Sequence, residues 1–159
     1  MRRTIVGLVV LGALAIAVPA QAAKGVKYKG KTSSGHPITF VLKGKKLHDM
    51  NSGISVQCIS IQGGGAPTGG VDTFSYEGWV PLSRTGVDFT FMKKPAFHYN
   101  EVTTKHTLSS RLNRRTGVIT GKQRIQYSFL IPKYPIGTFV IYSCLGSGKF
   151  KAKPVAPRG

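Results

Sequence analysis

Ile125-Gln126-Tyr127-Ser128-Phe129-Leu130-Ile131 places large apolar side chains at alternate positions, with Gln126 and Ser128 between them. Successive side chains of an extended chain point to opposite faces, so this stretch reads as a β-strand with one buried side. Val87 to Met92 repeats the pattern, with Val87, Phe89 and Phe91 on one face and Asp88 and Thr90 on the other. Two such runs in one chain set the expectation of an all-β fold.

Working outward, the remaining runs are short, rich in Val, Ile, Phe, Tyr and Thr, and separated by Gly, Pro, Asn and Ser. Ile38 to Leu42 is followed by a turn at Lys43-Gly44-Lys45, and Leu47 to Asn51 can return as its hairpin partner. In Ile54 to Ile61 the apolar phase set by Ile54, Val56 and Cys58 slips at Ile59 and Ile61, which predicts a β-bulge or a stretch buried on both sides. Gly63 to Gly70 reads as a flexible loop. Phe97 and Tyr99 alternate with His98 and Asn100. Thr103 to Leu112 is polar, with Leu108 and Leu112 as its inward residues. Asn113 to Gly117 is a turn, Val118 to Thr120 restarts the sheet, and Pro132 and Pro135 end the strand that opened this description. Phe139 to Cys144 and Phe150 complete the set, and the chain from Lys151 reads as a loose basic tail. About eight strands with turn signals every 8–12 residues predict a single antiparallel β-sandwich or jelly-roll-like domain.

The N-terminus sets the compartment. Arg2 and Arg3 precede an apolar run from Ile5 to Val18, Pro19 interrupts it, and Ala20-Gln21-Ala22 supplies small residues for cleavage. That layout predicts a signal peptide over 1–22. The run is shorter than the roughly 20 residues of a membrane-spanning helix, and no cysteine follows for lipid attachment. The expected mature chain, 23–159, is one secreted domain without a transmembrane helix, extracellular or associated with the cell envelope. Cys58 and Cys144 are the two cysteines, and in an exported chain they are expected to form one disulfide.

Some of these segments support a resemblance. Tyr28-x-Gly30-x-Thr32-Ser33 leading into an apolar strand, a cysteine near the first third, Gly117-Val118-Ile119-Thr120-Gly121 and Cys144-Leu145-Gly146-Ser147-Gly148 are similar to uncharacterised secreted bacterial β-sandwich proteins. The resemblance implies fold and export; no activity comes with it.

Motifs for catalysis are sparse. The five acids, Asp49, Asp72, Glu77, Asp88 and Glu101, are scattered; Asp88 with Glu101 is the one carboxylate pair considered. No Gly-x-Ser-x-Gly elbow occurs, and Gly146-Ser147-Gly148 reads as a turn. Gly63-Gly64-Gly65 lacks the Lys-Ser/Thr of a phosphate cradle. His98, Glu101 and His106 are weak metal candidates, with His48-Asp49 a second, and neither has a recurrent ligand spacing. No catalytic residue, metal or other cofactor is assigned, and the chain is read as a non-enzyme.

Charge is the feature with physical weight. Lys and Arg number 23 against those five acids, a net charge of +18. Removing residues 1–22 takes away Arg2 and Arg3 and leaves +16. Such an excess favours contact with polyanions. The basic residues cluster at Lys24 to Lys31, Lys43 to Lys46, Arg111 to Arg124 and Lys149 to Lys153. Lys43, Lys45, Lys46, Arg114 and Arg115, on two expected hairpin tips, are the anion-binding candidates. Stacking aromatics for a single-stranded nucleic acid are limited to Tyr28, Tyr76 and Trp79, so no specific nucleic acid is expected. The expected role is binding of an anionic envelope or extracellular polymer. The alternatives are a structural or protein-interaction domain with incidental charge, and an unrecognised hydrolase.

Overall fold

The computed structural model describes residues 25–62, 68–96, 100–133 and 138–156. The expected signal peptide, His98, Phe97, Tyr99, Pro135 and the first part of the glycine loop lie outside them. The described chain is all-β with no helix, as the alternation predicts. Its strands are β1 (Val26–Thr32), β2 (Pro37–Lys43), β3 (Lys46–Ser60), β4 (Thr68–Tyr76), β5 (Val80–Pro81), β6 (Val87–Lys93), β7 (Val102–Leu112), β8 (Ile119–Lys133) and β9 (Thr138–Pro154). All belong to one antiparallel sheet in the order β4-β3-β2-β1-β9-β8-β7-β6, with β5 beside the start of β3.

β3 organises the sheet. Its first half pairs with β2 and its second half with β9, so β3 and β9 diverge and the β1–β2 hairpin fills the fork. The hairpin tip is held at both sides: Ser33 N donates to Lys149 O at 2.7 Å, and His36 Nε2 lies 3.1 Å from Ser55 Oγ. Gly30 is needed where β1 meets β9, because a Cβ there would sit 2.0 Å from the Lys151 carbonyl oxygen.

The bulge or two-sided burial expected over Ile54–Ile61 is not found, since Ile54–Ser60 pairs without a register shift; the bulge in β3 is a different one, at Asp49. Thr39 pairs with Asn51 and Val41 with His48, so β3 carries an extra residue at Asp49, whose φ is 50°. Aspartate tolerates that left-handed backbone better than most residues. The bulge lets Leu47 and Met50 both face the core. From there Ser52, Ile54, Val56 and Cys58 keep one phase, and Ile59 and Ile61 face out.

The sheet curves so that its strands face one another across a single core. Phe74 of β4 packs against Phe91 of β6 and edge-on to His106 of β7; Gln123 of β8 donates to Ser52 Oγ of β3 at 2.9 Å. Phe40 stacks on Tyr28 and meets Phe150 edge-on. Each fully buried Ile, Leu or Phe contributes roughly 1.5–3 kcal/mol through removal of apolar surface from water. Cys58 and Cys144 are directly opposed across β3 and β9 and form a disulfide.

Four local expectations are corrected. Thr68–Gly70 is not loop but the start of β4, since Gly69 and Gly70 pair with Gln57 and Val56. Pro132 lies inside β8, opposite Phe139; β7 leaves β8 after Gln126, so the proline's missing N–H faces no ladder. Lys151 to Pro154 is no loose tail, because it pairs with both β1 and β8 in mid-sheet. Β-strand β7 also buries more than two leucines: Thr104, His106 and Ser110 face inward beside Leu108.

Candidate functional site

The outward face of the sheet concentrates the positive charge. Lys27, Lys29 and Lys31 alternate along β1, and Lys149, Lys151 and Lys153 along β9. With a period of two, each set points to one side, and here that side is solvent. Antiparallel pairing brings the sets together: Lys29 opposes Lys153, Lys31 opposes Lys151, and Lys122 of β8 opposes Lys149. Opposed residues on one face of such a ladder have Cβ atoms about 4.5–5.5 Å apart, and like charges there destabilise the pair. Arg124 of β8 and Arg111 of β7 continue the face.

No counter-charge interrupts it. None of the five acids falls in β1, β2, β7, β8 or β9. Asp72 is buried, Asp49 pairs with His48 at 2.9 Å, and Glu77 and Glu101 lie in connections. Asp88 borders the face from β6, where Lys105 Nζ lies 2.9 Å away and Thr107 Oγ1 donates at 2.6 Å. The Thr107 hydroxyl and then Lys105 hold the Asp88 carboxyl below its usual pKa.

At one end the face deepens into an open depression of about 1150 Å³, bordered by Arg84, Arg111, Arg114, Lys151 and Lys153. Arg84 reaches it because Ser110 N donates to Ser83 O at 2.6 Å, laying the β5–β6 connection along β7. Arg114 reaches it from the β7–β8 turn, where Asn113 Oδ1 accepts from the backbone N–H groups of Arg115 and Thr116. Asn113, Thr116 and Thr120 add polar groups to the lining. Guanidinium and ammonium groups converging without a carboxylate can bind phosphate, sulfate or carboxylate groups.

The sequence-selected cations fall on two turns at the same end of the sheet. Lys43, Lys45 and Lys46 surround the β2–β3 turn, and Arg114 and Arg115 lie on the β7–β8 turn. The start of β1 and the end of β9 run between them. Arg114 joins the depression; Arg115 and the three lysines do not border it. The β1 and β9 lysines were visible in the sequence as Lys-x-Lys-x-Lys repeats, but their mutual opposition is a property of register.

The other candidates separate. His106 is fully buried, 4.5 Å from the Phe74 ring and 4.7 Å from Phe89, while Glu101 is exposed before β7. Among the described residues no three His, Cys, Asp or Glu side chains converge on a metal position. Ser147 lies on the outward face of β9 opposite Arg124. Tyr28 is in the core and Tyr76 packs on Phe89, whereas Trp79 is half exposed and rests on His48, ring centroids 4.2 Å apart. Comparison with protein-family models, curated proteins and solved structures returned no match.

Proposed function

We propose that this chain is an exported, non-catalytic domain that binds an anionic polymer of the cell envelope or the extracellular medium through the outward face of β1, β9, β8 and β7. The observation that carries this reading is the direct opposition of Lys29 to Lys153 and Lys31 to Lys151 on a face without acids. Repulsion between those pairs costs stability in the free protein, and a bound polyanion reverses its sign. The field of so many like charges also raises the encounter rate with a polyanion. The Cys58–Cys144 disulfide is consistent with an oxidising compartment.

Heparin, a soluble linear polyanion, serves as the probe. Its affinity is expected to fall steeply between 50 and 300 mM salt, because each neutralised anion releases counterions. The Lys29→Gln/Lys31→Gln/Lys151→Gln/Lys153→Gln variant flattens that slope, and Lys43→Gln/Lys45→Gln/Lys46→Gln reports whether the ligand extends onto the β2–β3 turn. Absence of heparin binding at low salt, or binding indifferent to the quadruple substitution, removes this face from the function.

A further inference from the structure

The face that carries the lysines changes character along its strands, and in the same direction on three of them. Outward residues of β9 run Phe139, Ile141, Ser143, Leu145, Ser147, then Lys149, Lys151 and Lys153. Outward residues of β8 run in parallel from Leu130 through Ser128 and Gln126 to Arg124 and Lys122. On β3 and just past its end, Ile61 and Ile59 give way to Gln57 and Ser55. The apolar ends coincide: Ile59 opposes Ser143, and Ile61 N donates to Ile141 O at 2.9 Å. Ile59, Ile61, Phe139 and Leu145 are 56%, 59%, 50% and 45% exposed. Scattered apolar residues on a surface need no explanation, but a group of them on adjacent strands marks a contact.

From these observations we infer that the outward face docks on an anionic lipid bilayer, with the β9 lysines on the headgroup charges and the Ile59–Phe139 end at the acyl boundary. This rests on the polyanion reading of the same lysines and names the form in which the anions are presented. The argument for a lipid over a soluble polymer is the apolar end, for which a hydrated polysaccharide offers little partner surface. Lengths decide the orientation. From Ile141 to Lys149 the strand covers about 26 Å. A headgroup layer is only about 5–8 Å deep and the Debye length at physiological salt is about 8 Å. An upright strand would therefore hold the lysines beyond the surface charge. The face must lie along the bilayer, where both ends reach the headgroup region, as amphipathic surfaces do at an interface. No helix among the described residues is long and apolar enough to cross a membrane, and this mode does not require one.

The test uses the full chain with vesicles of phosphatidylcholine containing 30% phosphatidylglycerol, with pure phosphatidylcholine vesicles and heparin alongside. Co-sedimentation with the anionic vesicles and none with the neutral ones is expected. Lys151→Gln/Lys153→Gln weakens vesicle and heparin binding together, about fivefold per lysine for the vesicles. Ile59→Ser/Phe139→Ser lowers vesicle partitioning about tenfold and leaves heparin affinity unchanged, with a cooperative urea transition to show that the variant is folded. In Trp79→Phe/Phe139→Trp, tryptophan emission shifts to the blue when anionic vesicles are added. Heparin binding without vesicle binding overturns the bilayer and leaves the polyanion reading standing; loss of both removes both. Vesicle binding indifferent to Ile59→Ser/Phe139→Ser, or a dimer in sedimentation equilibrium that covers Phe139, also overturns the inference.

Discussion

Lys93 Nζ lies 2.6 Å from Asp72 Oδ2, and the pair joins β6 to β4, the two ends of the sheet order. Both residues are buried, and both are further bonded. Tyr127 OH donates to the same Asp72 oxygen at 2.6 Å, Ala96 N to the other at 3.4 Å, and Lys93 to the Thr73 carbonyl at 3.1 Å. Burial lowers the Lys93 pKa, and its hydrogen bond to Asp72 and the charge of that carboxylate oppose the lowering. Removing one member leaves a buried charge behind. Lys93→Met is expected to cost about 3–5 kcal/mol, and Asp72→Asn/Lys93→Met clearly less, as read from urea unfolding. A loss in the double variant equal to the sum of the losses in Asp72→Asn and Lys93→Met would show that the pair is not coupled.

His106 gives the protein an acid sensitivity with a definite sign. Burial, then the charge of Lys93, pushes its pKa down to about 3 from the ordinary 6.5. Between those values the unfolded chain takes up a proton that the folded chain refuses. Stability is therefore full above about pH 6.5 and declines as the pH falls towards 3, at a limiting rate of about 1.4 kcal/mol per pH unit. His106→Leu should flatten the stability profile between pH 6 and 4. It should also fold well at pH 7, since among the described residues neither ring nitrogen of His106 has a hydrogen-bond partner to lose.

The disulfide closes 86 residues between β3 and β9. Chain entropy assigns such a cross-link about 4–5 kcal/mol. Cys58→Ser/Cys144→Ser is expected to lower the urea midpoint accordingly, and a reductant should then have no further effect. A midpoint unchanged from the native protein would mean that β3 and β9 hold together equally well without the bond.

Exchanging one opposed lysine should separate stability from binding. Lys31→Glu turns the Lys31–Lys151 repulsion into attraction on an exposed ladder and is expected to add about 0.5 kcal/mol. The same change puts an acid in the middle of the basic face and should weaken heparin binding. A variant both less stable and equally tight would contradict the role given to this pair.

Much of the fold could be read from the chain because period-two alternation is a local signal. Val87–Met92 and Ile125–Ile131 are strands, and the Lys43–Lys45 turn joins β2 to β3. The disulfide was expected from two cysteines in a chain read as exported. Pairing is not local, and that is where reading stopped. The stretch from Lys151 resembled a tail because two prolines and two further basic residues follow it, yet ladders to β1 and β8 hold its start in mid-sheet. The polar face of β7 concealed that Thr104, His106 and Ser110 are inward, because they fill a core that other strands close. The candidate site suffered in the same way. Hairpin tips are visible in sequence, whereas a face built from β1 and β9 requires the register between residues more than a hundred positions apart.

The hairpin lodged between β3 and β9 ties the beginning of the domain to its end. Β1 finds its second neighbour in Phe150–Pro154 of β9, so a chain emerging amino-end first can dock that hairpin on one side alone. Closure waits for Phe150–Pro154 to arrive, and deletion of that segment would undo the first strand as well as β9.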